Sequence, residues 1–291
     1  TANFQMAANE LTGFDGLVRW RYEDWLEGTI NVNPGSKIDS VSGAAHGQIK
    51  KKKDYNNFSI KQGSGVTLTV EQSKLGKFGG TVLWESGGWI SGSMALDDRT
   101  TKDSFYGQGA ASTQAPKDLG SGIVLKTGSA ALVQVEASDI KKIGGSLLVN
   151  YEDWATGSIA VDAPGDLDKV NGQGALRLLD DKKIGKATVK KDSFLTATVN
   201  QSKVNRWAGG VRFEFDDTVE GQLDLDGGSD LDTISGFASV GLMKDIPVAG
   251  SKLILKEGGS VSGTFDGNGM QSVQGQVALE YDGWLRGMGV M

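Results

Sequence analysis

A chain of 291 residues with a formal charge of −6 and a pI near 5.0 offers little to a phosphate backbone, so no nucleic-acid partner is expected. The absence of cysteine excludes disulfides, thiol nucleophiles and cysteine-ligated zinc. No apolar run reaches the length of a spanning helix and no signal-peptide pattern opens the chain, so no membrane span is expected.

Glycine is the outlier, at 43 residues against 4 prolines, which fits many turns and bulges between strands. Gly28, Gly92, Gly157, Gly221 and Gly287 fall in one column of a pattern that recurs every 64 to 66 residues. The expected fold is therefore all-β: tandem antiparallel meander repeats of ~65 residues, with four to five short strands each, forming a large curved, spiral or closed sheet. One continuous array is expected. Residues 1–15 end a preceding repeat, 16–79, 80–144, 145–208 and 209–274 are complete repeats, and 275–291 begin a fifth. Such ragged ends lead to the expectation of a longer chain or an assembly.

Within a repeat, apolar residues stand at every second place before the anchor glycine, as Val18, Trp20 and Tyr22 before Gly28, which is the pattern of a half-buried strand. Alternation resumes after the glycine at Ile30 and Val32, and Glu23-Asp24 with Trp25 lies between, so a hairpin is expected there. Next come a strand around Gly43, Gly107, Gly172 and Gly236, a short strand ending in Lys61, Lys126, Lys190 or Lys256, and a strand such as Val66–Val70. The stretch Ser73–Phe78 reads as a connector carrying an apolar pair into the next repeat. If the last two strands are one bent strand, each repeat has four and successive repeats run in the same sense; with five hairpin-linked strands the sense alternates.

Trp25, Trp89, Trp154 and Trp284 recur at the hairpin, with Thr218 in their place in the fourth copy. They are candidate stacking platforms for sugar rings, set against a plainer part as lids over the end of the sheet. Asp39, Asp103, Asp168 and Asp232 stand four places before the third-strand glycine, where turn chemistry is expected. Asp224, Asp226, Asp230 and Asp232 are spaced like alternating oxygen ligands and are the candidate Ca²⁺ ligands, but they lack the closing glutamate of an EF-hand. No other cofactor is expected. His46 has no histidine counterpart in other repeats, Glu23-Asp24 and Glu152-Asp153 read as hairpin tips, and the run Lys50–Lys53 reads as a solvated strand end.

The repeat length and strand count are similar to those of bacterial and cyanobacterial agglutinins, whose Gln-Trp-Gly-Gly string has its nearest match in Gly87-Gly88-Trp89. The likeness is one of size, and no site is carried over from it. The expected function is a non-enzymatic structural or interaction module of a bacterial surface, secreted or shell-forming protein, meeting protein or glycan partners through repeated loops. A lectin-like repeat is the first alternative. An outer-membrane barrel is the second, with strands that read as shorter than the roughly 9 to 11 residues a span needs.

Overall fold

The structure is a computed structural model that describes residues 1–7, 10–37, 39–164, 169–229 and 233–291. Those residues form 27 strands and no helix, paired antiparallel throughout, in a sheet that does not close on itself. All-β meander architecture is thus what the chain adopts, and of the expected sheet forms the closed one is not found. No helix among the described residues is long and apolar enough to cross a membrane. The chain divides into two compact units, one mainly Thr1–Lys117 with Leu125–Leu147, the other mainly Leu148–Val161 with Asp168–Met291.

The first unit opens with β1 (Ala2–Ala7), β2 (Glu10–Tyr22), β3 (Leu26–Ser36), β4 (Gly43–Ile49), β5 (Lys53–Tyr55), β6 (Phe58–Ile60), β7 (Gly65–Glu71) and β8 (Lys74–Ser86). It continues through β9 (Ile90–Leu96), β10 (Gly107–Thr113), β11 (Lys117–Gly120), β12 (Ile123–Leu125), β13 (Ala130–Glu136) and β14 (Asp139–Tyr151), of which β11, β12 and β14 straddle the division. In order, β2 pairs β3, β3 pairs β4, β4 pairs β7 and β7 pairs β8. The short β6 also pairs β8, at Ile60 with Trp84, so β6 and β7 lie end to end along one neighbour. Four strand lines therefore make one period and the sense is kept from β2 to β8, the four-strand alternative.

The second unit contains β15 (Ala155–Pro164), which also straddles the division, β16 (Asn171–Leu178), β17 (Lys182–Ile184), β18 (Ala187–Val189), β19 (Phe194–Asn200), β20 (Lys203–Phe215) and β21 (Val219–Ser229). It ends with β22 (Gly236–Leu242), β23 (Ile246–Pro247), β24 (Leu253–Leu255), β25 (Ser260–Asp266), β26 (Gly269–Tyr281) and β27 (Leu285–Val290). Its own meander repeats the rule: β20 to β21 to β22 to β25 to β26, with β24 beside β26. The geometry in both units is consistent with the 64- to 66-residue period.

One expectation is corrected by strand length. Ser73–Phe78 is not a connector, because Lys74–Ser86 is a single strand of 13 residues. A two-residue turn, Gln72 and Ser73 at φ 49° and 61°, reverses the chain before it, and the paired φ > 0 residues match the right-handed twist of the flanking strands. A bulge between Leu68 and Val70 then shifts side-chain parity, which hid the strand from a period-two reading.

The register also advances. Opposite one another across the first unit stand Val82, Met94, Gly109, Val133 and Ile143. Ile143 lies four residues before Leu147, the counterpart of Val82. In the second unit Val211, Leu223, Ala238, Gly263 and Val273 are opposite, and Val273 lies four before Val277. Four residues at ~3.3 Å over four strands at ~4.8 Å tilts the strands by about 35° from the line normal to the direction along which the repeats succeed one another.

Two glycine columns exist because neighbouring backbones press against them. A Cβ on Gly43, Gly107, Gly172 or Gly236 would sit 2.1 to 2.3 Å from a carbonyl oxygen of the adjacent strand. At Gly80 and Gly145 the gap to such an oxygen is 2.2 Å and φ is +137° and +145°.

Burial is slight. Ala155 and Ala163 are the buried hydrophobic residues among those described, and the others are serines, threonines and glycines. Ser64, 1% exposed, donates to the carbonyl of Lys61 and accepts from the N–H of Leu83, both at 2.8 Å, fixing the corner between β6 and β7 against β8.

Candidate functional site

Three of the four hairpin tryptophans have a lysine at the ring. Lys53 lies over Trp25 at 5.1 Å, Lys117 over Trp89 at 5.8 Å and Lys182 over Trp154 at 4.4 Å. Trp25 and Trp154 also donate their indole N–H to Glu23 and Glu152, at 2.8 and 2.7 Å, and meet Tyr22 and Tyr151 edge-on. In the fourth repeat Thr218 replaces the ring and Ile246 the lysine, so the pair is lost together. These three rings are half-buried with a lysine over one face, whereas Trp284 is 72% exposed. The lysine column was not singled out from the sequence, although its spacing was there to be read.

The other candidates are scattered. Asp230 and Asp232 lie outside the described residues, as does Asp168; Asp224 accepts from the Gln222 amide, and the Asp226 N–H donates to the Ser235 carbonyl. Among the described residues no group of three or more possible ligands gathers round a metal position. Asx-type bonding in the second repeat falls to Asp97, which accepts from the Arg99 N–H at 2.8 Å, while Asp103 contributes its backbone N–H to Thr101. His46 meets the Thr67 hydroxyl at 3.1 Å. The run Lys50–Lys53 is neutralised residue by residue: Lys50 by Glu27, Lys51 by Asp24, Lys52 by Glu85 and Lys53 by Glu23.

Those pairs belong to a ladder on one face and its margin. Glu85, Glu214 and Glu280 meet Lys61, Lys190 and Lys256 at 3.8, 3.1 and 3.7 Å, always 24 residues apart in sequence. Lys52 holds the Glu85 carboxyl below its ordinary range, and Lys190 and Lys256 do the same to Asp181 and Asp245. In turn Lys52, Lys190 and Lys256 are raised, by hydrogen bonds to Glu85, Asp181 and Asp245 in that order. A carboxyl depressed on folding stabilises above its unfolded value and loses that contribution as pH falls through its folded one; a raised lysine does so as pH rises through its folded value. Thermal scans should therefore show a plateau at neutral pH, a fall below the carboxyl reference values of 3.8 and 4.5 and another above 10.5. Because the groups are exposed the ladder is screened, so 1 M salt should flatten both edges.

The opposite face carries charge only at its margin, where Lys53 and Lys182, the lysines over Trp25 and Trp154, oppose Ile60 and Val189. Directly opposed residues share a face, which places Val18 with Ile30, Ala45, Leu68 and Phe78. In every 13-residue strand the positions between the two ends of that face are glycine, aliphatic or aromatic, as Gly80, Val82 and Trp84 in β8 or Gly209, Val211 and Phe213 in β20. The rings lie flat: a Cβ on Gly28 would touch the ring of Trp20 at 2.5 Å, one on Gly92 that of Trp84 at 2.5 Å, and one on Gly221 that of Phe213 at 2.3 Å. Between such rings and the next ridge runs a groove of about 340 Å³, floored by Ala45 and Gly47 and walled by Trp20, Leu26, Ile60 and Val66. Nothing in the described chain covers this face, where Val18 is 51%, Met94 53% and Ile159 51% exposed. Compared with known proteins, the chain matches no family model and no curated protein.

Proposed function

We propose that this chain is a non-enzymatic tandem β-repeat module that works through a surface: its apolar face is covered by a further layer, and the ion-paired face remains in water. The single observation behind this reading is the combination, in each unit, of an apolar face charged only at its margin with a buried set of little more than serine, threonine, alanine and glycine. A sheet with one greasy face reaches a stable arrangement by layering, and here the layer must come from outside the described chain. Recurrence of the same glycine settings, ion pairs and four-residue advance supports the tandem-repeat part of the reading. A glycan platform has less support, because a lysine lies over a face of Trp25, Trp89 and Trp154.

The reading is tested with an environment-sensitive naphthalene sulfonate dye on detergent-free, non-aggregated protein at neutral pH. Strong dye fluorescence from a chain with a cooperative unfolding transition is the expected result. A cooperatively folded chain that leaves the dye dark has no open apolar face, and the proposal would fall.

A further inference from the structure

Resting on that reading, the geometry points to the hydrocarbon of a lipid bilayer as the layer that covers the apolar face. Three measures converge. First, five strands have 13 residues each, beyond the roughly 9 to 11 that a tilted span requires, and the shorter β6 and β7 run end to end along β8, although β9 and β10 have 7. Second, the register advance tilts them by about 35°, at the edge of the ~35 to 45° range of membrane barrels, and a stagger of this kind is what closing a sheet demands.

Third, aromatic residues bracket the apolar band. Tyr22, Tyr151, Phe215 and Tyr281 mark one end of four long strands, with Ser86 in the fifth; eight residues earlier stand Phe14, Phe78 and Trp207 in three of them and Ile143 and Val273 in the other two. Eight residues at ~3.3 Å, tilted by ~35°, set these two rows about 22 Å apart, against a barrel's apolar band of about 25 Å with aromatic girdles at both edges. The hairpin tips beyond the first row, Glu23, Asp24, Glu152 and Asp282, are polar.

A second copy of the chain is the rival cover. Two sheets packed face to face fill the ~10 Å between them with interdigitating side chains. This face instead lays its rings flat on glycines and runs a glycine and alanine trough along β4 and β10, relief that fluid acyl chains fill without a matched partner. Hydrocarbon tolerates no unpaired strand edge, so in the bilayer the sheet forms an arc of a closed wall with its ion ladder facing water.

The test uses the whole chain with zwitterionic phosphatidylcholine vesicles. Flotation of the wild-type protein with the vesicles, and quenching of its tryptophan fluorescence when the acyl chains carry bromine, are expected. Val82→Arg, on the face between the two rows, should lose most of the flotation, and Thr81→Arg, the next residue on the opposite face, should keep it. If Val82→Arg fails to fold, bromine quenching of the wild type decides alone. Wild-type protein that stays in the aqueous fraction unquenched overturns the inference. In that case a dimer by light scattering assigns the cover to a second copy and a monomer to another protein. Dye binding without flotation overturns only the lipid, whereas loss of both overturns the exposed face as well.

Discussion

Replacing Gly107 by alanine should lower stability by on the order of 3 kcal/mol or more, while the same change at Gly109, two residues along the same strand, should raise it slightly. At Gly107 the new Cβ would lie 2.3 Å from the carbonyl oxygen of Ala95, and the contact is backbone on both sides. No rotamer can relieve it; β9 and β10 must separate and give up ladder hydrogen bonds. At Gly109 nothing lies within 4 Å and φ is outside the left-handed range, so a methyl group enters open space and costs the unfolded chain some freedom, a gain of about 0.4 to 1 kcal/mol. Urea denaturation of the two variants checks the contrast. Equal stabilities would mean that the glycine column reflects composition and not close approach.

Excising residues 80–144 should yield a shorter chain that still folds cooperatively. The cut joins Gly79 to Gly145 and so restores the Gly-Gly step that Gly79-Gly80 and Gly144-Gly145 make in the intact strands. Because a period of four strand lines keeps the sense, everything after the junction meets the neighbours it would have met, and stability falls by roughly one repeat's share. Excising residues 87–106 is the contrasting case. It removes one strand line and joins the end of β8 to the start of β10, two points at opposite ends of the sheet that are six residue rows, ~20 Å, apart. That chain should lose cooperative unfolding. Circular dichroism and the urea m-value report both, the latter falling in the first variant with the surface removed.

Much of the architecture is legible in the sequence because its determinants are local. The columns ending in Gly28 and Gly92, the alternation around Val18 and Trp20, and the tight hairpins all follow from residue spacing alone. What is hidden depends on non-local pairing. The Gln72-Ser73 turn and the bulge after Leu68 change parity within a few residues, so Ser73–Phe78 reads as a connector although its backbone continues into β8. The turn at Gln62–Ser64 makes β6 and β7 look like two independent strands, and only their shared partner shows that they are one line. Period two reveals that one face is apolar, but it is blind to whether another layer covers it. The lysine that sits over three of the hairpin tryptophans was within reach: Lys53, Lys117 and Lys182 keep step with Trp25, Trp89 and Trp154, and both columns change in the fourth repeat.

The four-residue advance per repeat underlies the tilt, the spacing of the aromatic rows and the covered face, and a chain without cysteine allows it to be measured cleanly. Directly opposed residues place their Cβ atoms about 4.5 to 5.5 Å apart, close enough for a disulfide after slight adjustment, whereas a step of four residues adds ~13 Å. Mild oxidation of the double variant Val133→Cys with Ile143→Cys should close a disulfide, because these residues are opposed across β13 and β14. The pair Val133→Cys with Leu147→Cys should remain reduced. Closure of the second pair and not the first would place the repeats in register without advance and would contradict the account.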